Sequence, residues 1–128
     1  MVTGTGIDII EISRIRTAVS KWGDRFLERV FNPQEISYAQ EHIIPFQHYA
    51  GRFAAKEAIY KALGDRAVTW KDITICNDPA GKPSCIVRGL ADNKAIHISI
   101  SHCRYYAVAS AVVEEVLPTH AKAVPRVV

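Results

Sequence analysis

The chain opens on a run rich in β-branched residues, changes to a helical period, and later alternates with a period of two. From Val2 to Ile10 it is rich in β-branched residues, which predicts a strand with Gly4 and Gly6 as permissive points. Ser13 is placed to cap a helix running to about Trp22 and stopped by Gly23. Asp24 is placed to cap a short helix through Val30. Asn32-Pro33 reads as another start, with Pro33 at the first helical position and Gln34 and Glu35 in the first turn. That helix is expected to reach about His42 before Pro45 breaks the pattern. Phe46 to Leu63 is the strongest helical segment, and Gly64 is its stop.

Short strands follow. Asp72 to Cys76 and Ser84 to Arg88 flank the polar turn 77–83 and predict a hairpin, with a further turn around Asp92-Asn93. Ala95 to Ser101 alternates, with Ile96, Ile98 and Ile100 on one face and His97, Ser99 and Ser101 on the other. Tyr105 to Val113 is the last strand. Helices early and strands late predict an α+β fold, with N-terminal helices packed on a mainly antiparallel β-sheet. One domain is expected over residues 1–116. Residues 117–128, with Pro118 and Pro125, are expected to form a loosely ordered tail.

Composition narrows the class. The 128 residues are 48% hydrophobic and 23% charged, and the formal net charge is +3. That balance is too mild to argue a nucleic-acid partner. Cys76, Cys85 and Cys103 are odd in number and have no zinc spacing, which argues against a disulfide framework. The first residues, with Asp8 and Glu11, do not read as a secretory signal, and no apolar run reaches the roughly 18 residues of a membrane span. A reducing, cytoplasmic setting is expected.

Candidate chemistry begins on the long helix. Ala54, Ala55, Ala58, Ile59 and Ala62 share one side, so another element can approach it closely. Arg52, Lys56, Glu57 and Lys61 fall on the other half. On periodicity alone this half reads as a solvated face with surface ion pairs, Glu57 meeting Lys61 at i, i+4. Asp8 ends G-I-D and is of interest if a second carboxylate joins it, since magnesium is commonly held by one or two carboxylates plus phosphate oxygens and waters. His102 follows the alternating strand and is either a polar loop residue or a donor to an anionic oxygen. Ser99 and Ser101 share a face, either lining a site or facing solvent. No G-x-S-x-G, phosphate-binding loop or G-x-G-x-x-G after a strand is present.

Four segments together carry a resemblance: G-I-D-I-I-E-I at 6–12, R-F-A-A-K-E-A-I-Y-K-A-L-G at 52–64, N-D-x-x-G-K-P at 77–83 and S-I-S-H at 99–102. In order and spacing, over about residues 4 to 114, the chain resembles the holo-acyl-carrier-protein synthases. These are small, single-domain phosphopantetheinyl transferases. The helix motif containing Glu57 is the most specific of the four.

The resemblance implies the 4'-phosphopantetheinyl transferase fold and a reaction. Phosphopantetheine passes from coenzyme A to a serine of apo acyl carrier protein, leaving adenosine 3',5'-bisphosphate, with magnesium as cofactor. It implies Asp8 and Glu57 as metal ligands, and Lys61 and Arg52 as phosphate and nucleotide contacts. Gly64 closes the helix beside the ligand, Pro83 lies near the adenine, and His102 contacts coenzyme A. Glu57, directly or through a metal-bound water, is the candidate base, with Lys61 as its catalytic companion. Arg14, Arg25 and Arg29 lie where the family docks its acidic carrier protein, although a solvated face is the alternative. The family's homotrimers, with sites between subunits, imply the same assembly here.

The chain departs from the family at Asp65-Arg66 and at Cys103-Arg104, and neither change removes a proposed metal ligand. Other classes remain open at this point. A non-catalytic nucleotide binder would not need both Asp8 and Glu57. An assembly protein joined through its alanine-rich helix would be indifferent to coenzyme A.

Overall fold

The computed structural model describes residues 1–64 and 68–117. The expected departures at Asp65 and Arg66, and the tail beyond Leu117, lie outside the described residues. Strand β1 (Val2–Glu11) leads into helices α1 (Ile12–Trp22), α2 (Asp24–Val30), α3 (Pro33–Gln40) and α4 (Pro45–Leu63). A 3₁₀ turn (Trp70–Asp72) precedes β2 (Ile73–Asn77), β3 (Pro83–Val87), β4 (Lys94–His102) and β5 (Tyr106–Glu115). The strands form two antiparallel sheets, one ordered β1-β5-β4 and the other the β2-β3 hairpin. The architecture is the expected α+β.

Local starts and stops differ from expectation in physically simple ways. Glu11, not Ser13, is the N-cap of α1, and Ser13 lies inside the helix because the chain turns directly from β1 into it. Gly23, not Asp24, caps α2. Pro45 opens α4 instead of ending the preceding pattern, as its fixed φ and missing N–H suit a first helical position. α3 stops at Gln40, two residues before His42. Gly64 does close α4 in the left-handed region, with φ 65°, and its N–H donates to the Tyr60 carbonyl.

α4 lies across the three-stranded sheet through small residues. Ala50, Ala54, Ala58 and Ala62 are buried, and so are Ala107, Ala109 and Ala111 of β5. On β1 the inward positions are Gly4, Gly6, Asp8 and Ile10. A Cβ at Gly4 would overlap the Ala62 carbonyl, and one at Gly6 would overlap the Ala58 carbonyl. Glycine is therefore required by approach distance, not by turn geometry, and β1 lies against the backbone of α4.

Of the four residues on the polar half of α4, Arg52 and Lys56 are buried, contrary to the reading from periodicity, whereas Lys61 is exposed as expected and Glu57 is half-buried. Arg52 is 5% exposed and Lys56 is fully buried. Lys56 Nζ donates to Glu35 Oε1 at 2.6 Å, to the Val30 carbonyl at 2.8 Å and to the Trp70 carbonyl at 3.0 Å. The equally buried Glu35 also accepts from the backbone N–H groups of Asn32 and Ile75. Burial pushes the Lys56 ammonium below the usual lysine range, and Glu35 offsets part of that shift. One ion pair thereby joins α2, α3, α4, the 3₁₀ turn and β2.

Removing one partner of this pair strands the other charge in the interior. Glu35→Ala is expected to destabilise the fold by about 3–5 kcal/mol in urea unfolding. The double change Glu35→Leu with Lys56→Met is expected to be less destabilising than either single change.

Candidate active site

Two groups of functional side chains flank α4. The first lies along its seam with β1. Asp8 is the third inward position of that strand, after the two glycines, and is half-buried. Lys61 Nζ donates to Asp8 Oδ1 at 3.2 Å and to the Ile7 carbonyl at 3.0 Å. Lys61 therefore pairs with Asp8 and not, as helical spacing implied, with Glu57. Glu57 stands one turn before Lys61, and its Oε1 accepts the indole N–H of Trp70 at 2.7 Å. Asp8 and Lys61 thus meet on the seam, Glu57 projects one turn earlier toward Trp70, and Gly64 closes the same helix.

The second group lies on the opposite side of α4. Arg52 donates to Asn77 Oδ1, and its guanidinium sits 3.8 Å from the Tyr38 ring centroid. Its Nε is buried and, among the described residues, has no hydrogen-bond partner. Pro83 is paired with Asn77 across the hairpin, so it stands beside the residue that holds Arg52. His102 is the last residue of β4, not a loop residue, and its ring lies 5.8 Å from that of His48. His48 in turn stacks on His42 at 3.8 Å. Burial, then His42, His102 and Arg52, push the His48 imidazole down to about 4, so it is neutral at neutral pH.

Lys61 lies nine positions after Arg52, about two and a half turns, so the two cations leave α4 in opposite directions. One molecule places Lys61 against Asp8, with Glu57 one turn away, and Arg52 beside Asn77 and its pair Pro83, with His102 against His48. It does not bring the two sets together.

The remaining candidates lie on the helices. Arg14, Arg25 and Arg29 are exposed. Arg25 and Arg29 line a groove of about 790 Å³ with Trp22, Phe26, Val30 and Trp70. Ser99 and Ser101 are exposed on the sheet face turned away from α4. Two residues that shape the site were missed in the sequence reading, Trp70 and Glu35. Trp70 sits in a three-residue turn with no period to mark it, and Glu35 resembles any first-turn acid.

The donor chemistry suits magnesium. Among the described residues no cluster of three or more histidine, cysteine or acidic side chains is placed to hold a metal. Asp8 and Glu57 offer two carboxylates, and one or two carboxylates with phosphate oxygens and waters are the partial protein ligation that magnesium commonly accepts. Among the described residues no helix is long and apolar enough to cross a membrane.

Comparison with known proteins is consistent throughout the chain. The family model described as 4'-phosphopantetheinyl transferase superfamily matches residues 4–113. A holo-[acyl-carrier-protein] synthase of Koribacter versatilis is 42% identical over 125 residues, covering 90% of this chain and all of the relative. The crystal structure of the Bacillus anthracis synthase in complex with CoA (3',5'-ADP) superposes with a TM-score of 0.79 at 39% identity, covering 90% of this chain and 98% of that one. The Helicobacter pylori synthase in complex with coenzyme A gives 0.76 at 32% identity, covering 86% and 99%. With its four motifs, its fold and its full-length relatives in agreement, this chain belongs to the 4'-phosphopantetheinyl transferase superfamily, among the holo-[acyl-carrier-protein] synthases.

Proposed function

We propose that the chain transfers 4'-phosphopantetheine from coenzyme A to a serine of apo acyl carrier protein, with Asp8 and Glu57 as the magnesium ligands. The observation that supports this reading is the contact of Lys61 with Asp8, with Glu57 one turn before Lys61 on the same helix, in a chain of this family. When bound there, magnesium neutralises charge on the diphosphate of coenzyme A. Lys61 adds a cation beside it, and Arg52 is the basic contact to the nucleotide phosphates. Pro83 and His102 border the nucleotide. The carrier serine Oγ attacks the β-phosphorus, a new O–P bond forms, and the bond to the bridging oxygen breaks. Adenosine 3',5'-bisphosphate leaves. Glu57, directly or through a water, takes the serine proton. Such transfers rest on positioning and electrostatics more than on covalent help from the enzyme.

The site is completed by further copies of the chain, in a homotrimer. Arg52 and Lys61 point away from each other within one molecule, so contacting one nucleotide takes two subunits. The outer face of the three-stranded sheet supports this assembly. Ile7 is 65% exposed, Ile9 64% and Tyr106 46%, a contiguous apolar strip on β1 and β5. The carrier protein docks on the other side, against Arg14, Arg25 and Arg29, where complementary charge speeds encounter and sets register.

The mass of an apo carrier protein incubated with the chain, coenzyme A and magnesium is expected to rise by one phosphopantetheine. Asp8→Ala or Glu57→Ala is expected to slow that gain by about 100-fold or more; undiminished transfer by both variants would reject their assignment. Arg52→Met and Glu57→Ala, each inactive alone, are expected to regain transfer when co-expressed, because roughly a quarter of all interfaces then carry both intact halves. Arg14→Glu is expected to raise KM for the carrier protein about tenfold while KM for coenzyme A stays unchanged.

A further inference from the structure

Trp70 is the only described side chain hydrogen-bonded to Glu57, and it is held unusually firmly for a residue of a short turn. Its carbonyl accepts from the buried Lys56 ammonium at 3.0 Å. The next residue, Lys71, donates through Nζ to the carbonyls of Glu28 and Phe31, at 2.9 and 3.0 Å, tying the turn to the end of α2. Thr69 closes the turn from the other side, its N–H and hydroxyl both bonded to the Asp72 carboxylate at 3.0 Å. The indole also packs on Phe53 of α4, ring centroids 5.8 Å apart. One backbone unit is thus anchored to α2, α4 and its own flank, and only the indole reaches toward the seam.

Trp70 lines a cavity of about 190 Å³ with Glu57, Lys56, Tyr60, Val68, Thr69 and Ile73. It also lines the groove that carries Arg25 and Arg29. The N–H points into the first, where it pins one oxygen of the Glu57 carboxylate and so sets the rotamer of that side chain.

We propose that Trp70 is a positioning residue for Glu57. Its anchored indole N–H orients the carboxylate toward the divalent cation, from the wall shared with the carrier-docking groove. This inference rests on the reading of Glu57 as a metal ligand. Partners that orient a metal ligand through a hydrogen bond matter nearly as much as the ligand, and their loss typically costs 10- to 100-fold in metal affinity or activity. A phenylalanine at this position would fill the wall but could not donate.

The test uses Mn2+ as probe, with free ion counted by electron paramagnetic resonance in the presence of coenzyme A. Trp70→Phe is expected to weaken Mn2+ binding about tenfold, with the thermal midpoint retained. Wild-type Mn2+ affinity in a folded Trp70→Phe protein overturns the proposal. Should Trp70→Phe not fold, benzothienylalanine at position 70, with sulfur in place of the N–H, decides by the same threshold. Glu57→Gln is measured alongside. If it too binds Mn2+ as the wild type does, the ligand role of Glu57 fails; if it loses binding while Trp70→Phe keeps it, only the role of Trp70 fails.

Discussion

The ion pair between Lys56 and Glu35 is the interaction on which the rest of the chain is hung. Both side chains are fully buried, and each has its polar atoms satisfied by backbone groups as well as by the other. A buried pair of this kind is not a strong source of net stability, because removing two charges from water offsets most of their attraction. Its effect is on specificity of arrangement. Any shift of α3 against α4, or of β2 against either, would leave a charge or a backbone group unpaired in the interior. The pair therefore sets the relative positions of the helices and the hairpin, and through the Trp70 carbonyl it sets the turn beside Glu57.

The second constraint is the distance between β1 and α4. Because glycine occupies two successive inward positions of the strand, its backbone rests on the helix backbone, and the next inward residue is Asp8. Strand geometry thus delivers a carboxylate to Lys61, one turn beyond Glu57 on the helix. Alanines on β5 repeat the same economy of volume under the N-terminal half of the helix. Close packing brings functional groups from distant parts of the chain together without a long loop to carry them.

The helix that does this work divides its polar residues between two sides. Lys61 faces Asp8, and Arg52 faces Tyr38 and Asn77. In the function proposed above, a site that uses both is shared between molecules, and the exposed isoleucines on β1 are the face proposed for that sharing. Catalytic geometry and assembly are, on this reading, one problem solved by one helix.

Much of this was legible in the chain itself. Strands, helices and the hairpin followed from local periods and from Gly64, Pro33 and the turn at 77–83, since backbone preference acts over a few residues. The metal ligands proposed, Asp8 and Glu57, were visible as motif positions, but motif spacing does not say what each side chain touches. Periodicity placed Arg52 and Lys56 on a solvated face, and the fold buries both, because a helix with a polar half can still be enclosed when distant residues such as Glu35 and Asn77 supply the partners. It paired Lys61 with Glu57, and the strand laid alongside took Lys61 for Asp8. Trp70 had no signal at all. The sequence by itself determined the elements and the chemical types available, which are local properties. Only the tertiary structure decided which charges are buried, which are paired and which carboxylate is held by an indole, because those outcomes depend on segments tens of residues apart that meet only on folding.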